Sequence, residues 1–327
     1  MNNQIEFRLQ HGMYELKDGF IFSHMFKDKI NIKDAIYIHE EISSNHIDYI
    51  NKKHIDKIII DGFIGTTKSL EPLKKINHVI YLSVEGDFDV TPLYALKELR
   101  YLSISSSQKL DLSQFPQLEW FSTGTTSCIV NLDKSEKLKS LTIYNRYMPL
   151  EPEVAESISS LPQLDTLVIA YTEIINLDFL KPNMNLQVLV LVDNKKLSNI
   201  DAIVNIKDSL KHLKIFVCKK IESYDCLEKM DSLVFIMIQM CKSLKDIYFA
   251  NRLKNLHSFI ISDTQIENGD LTPLMNKKCV IVMPLRKFYH YNKNENQILI
   301  KHEDLPQLES RQKGEDQIDS WRRINHH

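Results

Sequence analysis

One short apolar pattern recurs ten times along this chain and constrains its fold more than any other sequence feature. Two residues separate the first and second apolar positions, and one residue separates the second and third. Of the thirty positions, only Thr123 is not apolar. The matches are Ile55-Ile58-Ile60, Val79-Leu82-Val84, Leu99-Leu102-Ile104, Leu118-Phe121-Thr123, Leu138-Leu141-Ile143, Leu164-Leu167-Ile169, Leu186-Leu189-Leu191, Leu210-Leu213-Ile215, Leu233-Ile236-Ile238 and Leu256-Phe259-Ile261.

The spacing of these matches indicates a solenoid. Their last positions lie 24, 20, 19, 20, 26, 22, 24, 23 and 23 residues apart. The second and third apolar positions are two residues apart, so they lie on the same face of a strand. One repeat cannot bury that face alone, whereas a stack of repeats shares a continuous core.

The pattern resembles that of the leucine-rich-repeat family over residues 55–285. The segments LVLVDNKKL at 189–197 and LKIFVCKKI at 213–221 carry the resemblance most clearly. It implies an α/β solenoid of about 10–11 repeats. It also implies a right-handed horseshoe with a parallel β-sheet on its concave side.

The family also places Asn or Cys three residues after the last apolar position, where the side chain satisfies backbone groups in the turn. Arg146 departs from this pattern, and Phe63 makes the first turn degenerate. The other eight residues at this position are small polar residues or cysteine: Asp87, Ser107, Thr126, Thr172, Asn194, Cys218, Cys241 and Thr264.

We expect three domains: an amino-terminal cap at 1–54, the solenoid at 55–284 and a carboxy-terminal cap at 285–327. Alternation at Ile5-Phe7-Leu9 and the glycines that follow predict a small β-meander, and residues 33–53 read as a helix or a decayed repeat. Residues 279–283 read as the last strand, stopped by Pro284. Beyond it we expect an edge strand at 297–300 and a helix at 315–324.

The step from Ile143 to Ile169 is the longest, and it contains the segment Glu151-Pro152-Glu153. Apolar residues then follow at helical spacing at Ala155, Ile158 and Leu161. Acidic residues and proline at the start favour a helix on the convex side. The shorter connections predict 3₁₀ or extended backbone.

Composition argues against several classes of partner. The net charge is −2, from 41 basic and 43 acidic residues, so no positive excess calls for nucleic acid or an anionic membrane. Neither a secretory signal nor a membrane-spanning stretch is recognisable. The cysteines number five, an odd count without a C-x-x-C pair, which favours a reducing cytosol and a cytoplasmic protein.

No catalytic, metal or cofactor motif emerges, so we expect a protein that is not an enzyme. Residues 62–69 contain two glycines but lack the spacing of a phosphate loop, and no H-E-x-x-H pair occurs. Cys218 and Cys241 fit the polar position of the repeat. Cys226 is the one thiol that could react, and its acidic surroundings disfavour a thiolate.

Strand alternation defines a predicted binding face, formed by the side chains that point away from the core. Tyr81, Tyr101 and Trp120 form an aromatic ladder beside the hydroxyls of Ser83, Ser103, Ser122 and Thr142. Val168, Val188, Val190, Val192, Phe216, Phe235, Met237 and Ile260 form an apolar patch. The residues we expect to bind a partner are Tyr81, Tyr101, Trp120, Tyr144, Val190, His212, Phe216, Phe235 and Met237.

Exposed aromatic residues and apolar patches are typical of protein interfaces. Two alternatives remain: these residues suit strands and bury one another, or the carboxy-terminal tail covers them. We expect a protein-binding module, similar in build to ribonuclease inhibitors and toxin-neutralising immunity proteins, that sequesters an enzyme or toxin. The alternative is an adaptor or scaffold that self-associates. Either would be a monomer or a weak homodimer.

Overall fold

A computed structural model describes residues 5–8, 13–16, 21–23, 26–27, 30–31, 35–62, 67–182 and 184–283. The chain divides into two compact units. Unit 1 comprises Met1–Ser122, Cys128–Val130 and Pro306–His327, and unit 2 comprises Thr123–Ser127 and Asn131–Leu305. The predicted carboxy-terminal cap, with its strand at 297–300 and its helix at 315–324, lies outside the described residues. Phe63 and Pro284 lie outside them too.

Unit 1 contains an antiparallel and a parallel set of strands. Strands β1 to β3 pair antiparallel, as the predicted meander requires, and β3 pairs antiparallel with β6. Strands β6 to β9 are parallel and in register. The elements are β1 (Ile5–Arg8), β2 (Met13–Leu16), β3 (Ile21–Ser23), β4 (Phe26–Lys27), β5 (Ile30–Asn31), β6 (Ala35–Ile38), α1 (Ser44–Lys53), β7 (Lys57–Asp61), β8 (Tyr81–Glu85), β9 (Tyr101–Ser105), β10 (Leu110–Asp111), β11 (Trp120–Thr123) and β12 (Ile129–Val130).

Unit 2 is a run of seven parallel strands. Each pairs with the next without a change of register, except at an irregularity between Tyr144 and Met148. Its helix α2 lies in the longest step, where the sequence predicts one. The elements are β13 (Ser140–Met148), α2 (Pro152–Ser160), β14 (Thr166–Thr172), β15 (Val188–Val192), β16 (His212–Phe216), β17 (Phe235–Gln239), β18 (Ser258–Ser262) and β19 (Cys279–Met283).

The ten predicted strands are confirmed, and their apolar positions form the core. Leu167 and Ile169 of β14, for example, are fully buried, and so are their equivalents in β15 and β16. The predicted 3₁₀ connections are also present, several with proline in the first turn. They span Glu71–Lys75, Thr91–Ala95, Leu112–Gln114, Leu132–Lys134, Asp201–Ile206, Asp225–Lys229, Tyr248–Asn251 and Thr272–Leu274.

Residues 35–53, the described part of the segment predicted at 33–53, contain both a repeat strand and a helix, the two alternatives that the sequence left open. Strand β6 joins β7 in parallel and buries Ile36 and Ile38, as a repeat strand does. Helix α1 then follows, with a capping box in which the Ser43 side chain accepts from the His46 backbone and the His46 side chain accepts from the Ser43 backbone. None of the helices in the described part of the chain could span a membrane.

A polar ladder supports the turns of unit 2, as the sequence predicts. Asn194 Oδ1 accepts from the backbone N–H and the hydroxyl of Thr172 at 3.0 and 2.7 Å, and Asn194 Nδ2 donates to the Ile169 carbonyl at 2.9 Å. Thr264 Oγ1 accepts from the Cys241 N–H at 3.0 Å. The Cys218 thiol donates to the Phe216 carbonyl at 3.4 Å. These side chains replace the water that buried turns cannot reach.

The repeat that contains Arg146 fills this ladder position differently. Asn145 Oδ1 accepts from the Thr126 N–H at 2.9 Å, and Asn145 Nδ2 donates to the Pro149 carbonyl at 2.6 Å. Arg146 and Tyr147 both adopt positive φ, at 47° and 60°, and Arg146 is exposed. The polar role therefore falls one position earlier in this repeat, at Asn145 in place of Arg146.

We predict that Asn194→Ala lowers the free energy of unfolding by about 3 kcal/mol, because it leaves buried donors and an acceptor without partners. Asn251 is exposed, and Asn251→Ala is the matched control with an expected change within about 0.5 kcal/mol. Urea titrations followed by circular dichroism measure both. Equal losses in the two variants would contradict the role assigned to the ladder.

Candidate protein-binding surfaces

The three residues of the predicted aromatic ladder occupy equivalent positions on neighbouring strands of unit 1, but the expectation that Tyr81 is accessible was wrong, because its ring is buried. Tyr81 and Tyr101 are register partners, and the Trp120 N–H donates to the Arg100 carbonyl just as the Tyr101 N–H donates to the Ile80 carbonyl. Tyr81 is only 2% exposed, whereas Tyr101 and Trp120 keep part of their surface accessible. Packing of Tyr81, Tyr101 and Trp120 with Ala35 and Ile59 fixes the rings in place.

An ion pair between Arg100 and Glu119 lies beside the accessible residues of this ladder, Tyr101 and Trp120. The Arg100 Nε donates to Glu119 Oε1 at 2.7 Å, and the Arg100 guanidinium lies 5.7 Å from the centre of the Tyr101 ring. Glu119 thus orients Arg100, and Arg100 restricts Tyr101 through a cation–π contact. The hydroxyl row beside the ladder is less accessible than expected, since Ser83 and Ser122 are buried and only Ser103 keeps accessible area.

A second aromatic group of unit 1 lies in β6, within the predicted amino-terminal cap. The Tyr37 hydroxyl donates to Asp61 Oδ2 at 2.7 Å, and its ring stacks on His39 with centroids 5.9 Å apart. Burial raises the pKa of Tyr37, and the hydrogen bond to Asp61 and the charges of Asp61 and Glu85 add to the rise. Tyr37 therefore stays protonated and donates at every physiological pH.

The predicted apolar patch of unit 2 is largely buried. Its members are β-branched, aromatic or otherwise bulky, and each is flanked at about 4.8 Å by the equivalent residues of neighbouring strands, which cover it. The expectation that these side chains are accessible was therefore wrong for the seven that are buried. They are Val168, Val190, Val192, Phe216, Phe235, Met237 and Ile260, and the hydroxyl-bearing Thr142 is buried as well.

Three predicted residues of unit 2 retain accessible area: Tyr144, His212 and Val188 of the apolar patch. Tyr144 lies at the end of the regular part of β13, and His212 begins β16. The His212 ring stacks on Phe235 at 5.9 Å with an interplanar angle of 23°. The Lys214 ammonium lies 5.6 Å from the centre of the same Phe235 ring. His212 thus covers the buried Phe235 ring and keeps accessible area of its own.

A compact cluster beside the irregular turn of β13 was missed from the sequence. The Tyr147 hydroxyl donates to Asp193 Oδ2 at 2.6 Å, the Lys195 ammonium lies 3.6 Å from the centre of the Tyr147 ring, and Tyr171 meets that ring edge-on at 5.5 Å. Burial and the Asp193 contact raise the pKa of Tyr147. Two features of the sequence mark the site of this cluster. They are the longest step of the repeat and the presence of Arg146 at the polar position.

The buried thiols of Cys218 and Cys226 lack the features of a nucleophile. Burial raises the pKa of Cys218 to about 12 and that of Cys226 to about 12, and Asp201 and Asp225 add to the rise at Cys226. The raised pKa of Cys226 agrees with the expectation that its acidic surroundings disfavour a thiolate. In the described ranges, no group of His, Cys, Asp and Glu side chains could hold a metal ion.

We predict that Cys218 and Cys226 resist iodoacetamide in the native protein at pH 8, because a thiol with a pKa near 12 is about 0.01% ionised there. Cys128 keeps accessible area and is expected to react first. Mass spectrometry of labelled peptides, with Cys128→Ser as the control, measures the order. Fast labelling of Cys226 before Cys128 would contradict it.

Comparisons with known proteins show the fold. The chain is similar to an internalin from Listeria monocytogenes, with 16% identity, a TM-score of 0.53, and 77% of this chain and 82% of that chain covered. At this identity the likeness establishes the leucine-rich-repeat fold and nothing beyond it. No protein-family model matches the chain, and no curated protein matches it in sequence.

Two further solved structures are more distant. The functional domain of InlJ from Listeria monocytogenes, which includes a cysteine ladder, has 17% identity and a TM-score of 0.47 over 74% of this chain and 51% of that chain. A leucine-rich-repeat protein from Leptospira interrogans has 12% identity and a TM-score of 0.36 over 74% of this chain and 82% of that chain.

Proposed function

We propose that this leucine-rich-repeat chain is a protein-binding module that acts in the cytoplasm. The observation that supports the proposal best is the partly accessible pair Tyr101 and Trp120, held on adjacent strands and bordered by the Arg100–Glu119 ion pair. Aromatic residues and arginine dominate the binding energy of protein interfaces. An ordered pair of this kind offers a partner a ready-made anchor.

The strands favour binding because they already hold the Tyr101 and Trp120 side chains in place, so these side chains lose little conformational freedom when a partner binds. Tyr101 and Trp120 pack against the buried Ala35 and Tyr81 on a hydrogen-bonded parallel sheet. Immobilising a free side chain on binding costs about 0.5–1.5 kcal/mol. These two side chains are already immobilised in the folded protein, so binding does not add that cost. Tyr144 and His212 are proposed as further contacts, while the buried members of the apolar patch support the backbone beneath them.

Binding fits the chemistry of the site better than catalysis. The thiols of Cys218 and Cys226 are held protonated, and the accessible part of the ladder consists of the Tyr101 and Trp120 rings, Ser103 and a paired arginine. Within the binding class, we favour an inhibitor or immunity-type role in which the partner is an enzyme or toxin held one-to-one. The alternative is an adaptor or scaffold that self-associates.

Affinity capture from the source cell tests the proposal with three proteins: the wild type, a Tyr101→Ala/Trp120→Ala variant and a Tyr248→Ala control. Tyr248 is 50% exposed and lies on a 3₁₀ segment remote in sequence from the ladder. The wild type and the control are expected to retain a stoichiometric protein. The double variant is expected to lose it at least tenfold, which corresponds to about 1.4 kcal/mol.

Retention of that protein by the double variant, with all three proteins folded by circular dichroism, would contradict the assigned surface. The activity of the captured partner then separates the two roles. An enzyme or toxin whose activity falls at a one-to-one ratio supports the inhibitor. Light scattering that shows a concentration-dependent dimer of the chain alone favours the adaptor.

A further inference from the structure

Exposed lysines gather at one edge of unit 2, where strands β15, β16 and β17 end. In each repeat a lysine stands three residues beyond the strand, and the strand ends are register partners, so the lysines stand in a row. In two repeats a second lysine follows directly. This lysine edge consists of Lys195, Lys196, Lys219, Lys220 and Lys242, all exposed.

The lysine edge is poorly neutralised by the protein itself. Lys196 pairs with Glu173 at 2.8 Å. The other four make no ion pair within the described part of the chain. Like charges on neighbouring strands about 4.8 Å apart repel one another, and a bound anion relieves that repulsion. The whole chain carries a net charge of −2, so total charge conceals this local excess.

Apolar side chains lie beside the lysines. Val217 and Met240 each precede a lysine by two residues and adopt positive φ, at 58° and 53°. Met240 is 38% exposed. Lys195 covers the Tyr147 ring at 3.6 Å, and Tyr171 packs against that ring. A basic row with an apolar border is suited to a protein chain that carries both carboxylates and apolar groups.

We propose that the lysine edge binds an acidic segment of a partner protein. The inference rests on the proposed protein-binding function and adds a second contact, with its own chemistry. The lysines that follow the three strands β15, β16 and β17 span about 10 Å, which is the length of about three extended residues. The segment that fits best therefore carries two or three carboxylates within three or four residues.

The observations favour an acidic protein segment over a nucleic acid. A nucleic acid backbone is attracted by an extended positive field, whereas this chain is slightly acidic as a whole. The Tyr147 ring also offers no open face for base stacking on the side that Lys195 occupies. A local basic row against a local acidic segment needs no overall positive charge.

Fluorescence anisotropy with a fluorescein-labelled octaglutamate peptide tests the proposal in 50 mM NaCl. The variants are Lys219→Glu/Lys242→Glu and the matched control Lys229→Glu/Lys254→Glu, which changes the charge equally at exposed lysines of the 3₁₀ side. We expect wild type and control to bind alike and the lysine-edge variant to bind at least tenfold more weakly. Thermal unfolding of the variants confirms that they are folded.

Equal binding by the two variants would overturn the proposal, and so would absence of binding by the wild type. Tighter binding of an octauridylate RNA than of octaglutamate would assign the edge to nucleic acid instead. A wild-type dimer that the lysine-edge variant abolishes would assign it to a second copy of the chain. If the peptide test fails while Tyr101→Ala/Trp120→Ala still loses the captured partner, only the lysine edge is overturned.

Discussion

The structure depends on one constraint: no repeat can bury its apolar residues without its neighbours. Leu189 and Leu191 of β15 are fully buried only because β14 and β16 lie in register on either side. Such stacking buries the backbone N–H and C=O groups of each turn away from water. The polar ladder supplies the hydrogen bonds that these groups would otherwise lack. Core and ladder therefore require each other, since the ladder residues meet only when the strands are in register.

The shared register of the strands also explains why side chains of one chemical type lie in a line. A residue type repeated at one position of the repeat becomes a line of side chains at the strand spacing of about 4.8 Å. The aromatic pair Tyr101 and Trp120 and the lysine edge both arise in this way. A repeat protein can thus build a binding surface from residues far apart in sequence, without any change to its core.

Much of this could be predicted from sequence, because period and strand alternation are local patterns. The ten strands followed from the spacing of the repeat, and helix α2 from acidic residues and proline at the start of a helical pattern. The ladder at Asn194 and Cys218 was implied by the resemblance to the leucine-rich-repeat family. Burial of Val190 and Met237 did not, because alternation says which way a side chain points and not what packs beside it. The Tyr147–Asp193 contact joins residues 46 positions apart and needed the strand pairing to be known.

Hydrogen exchange of the chain with and without its captured partner tests the central claim most directly. We predict added protection in β9, β11 and the turns that follow β15 to β17, where the ladder and the lysine edge lie. The 3₁₀ segments on the other side of the repeats, such as Asp225–Lys229, should exchange unchanged. Protection confined to those segments would contradict a binding role for the strand face and its edge.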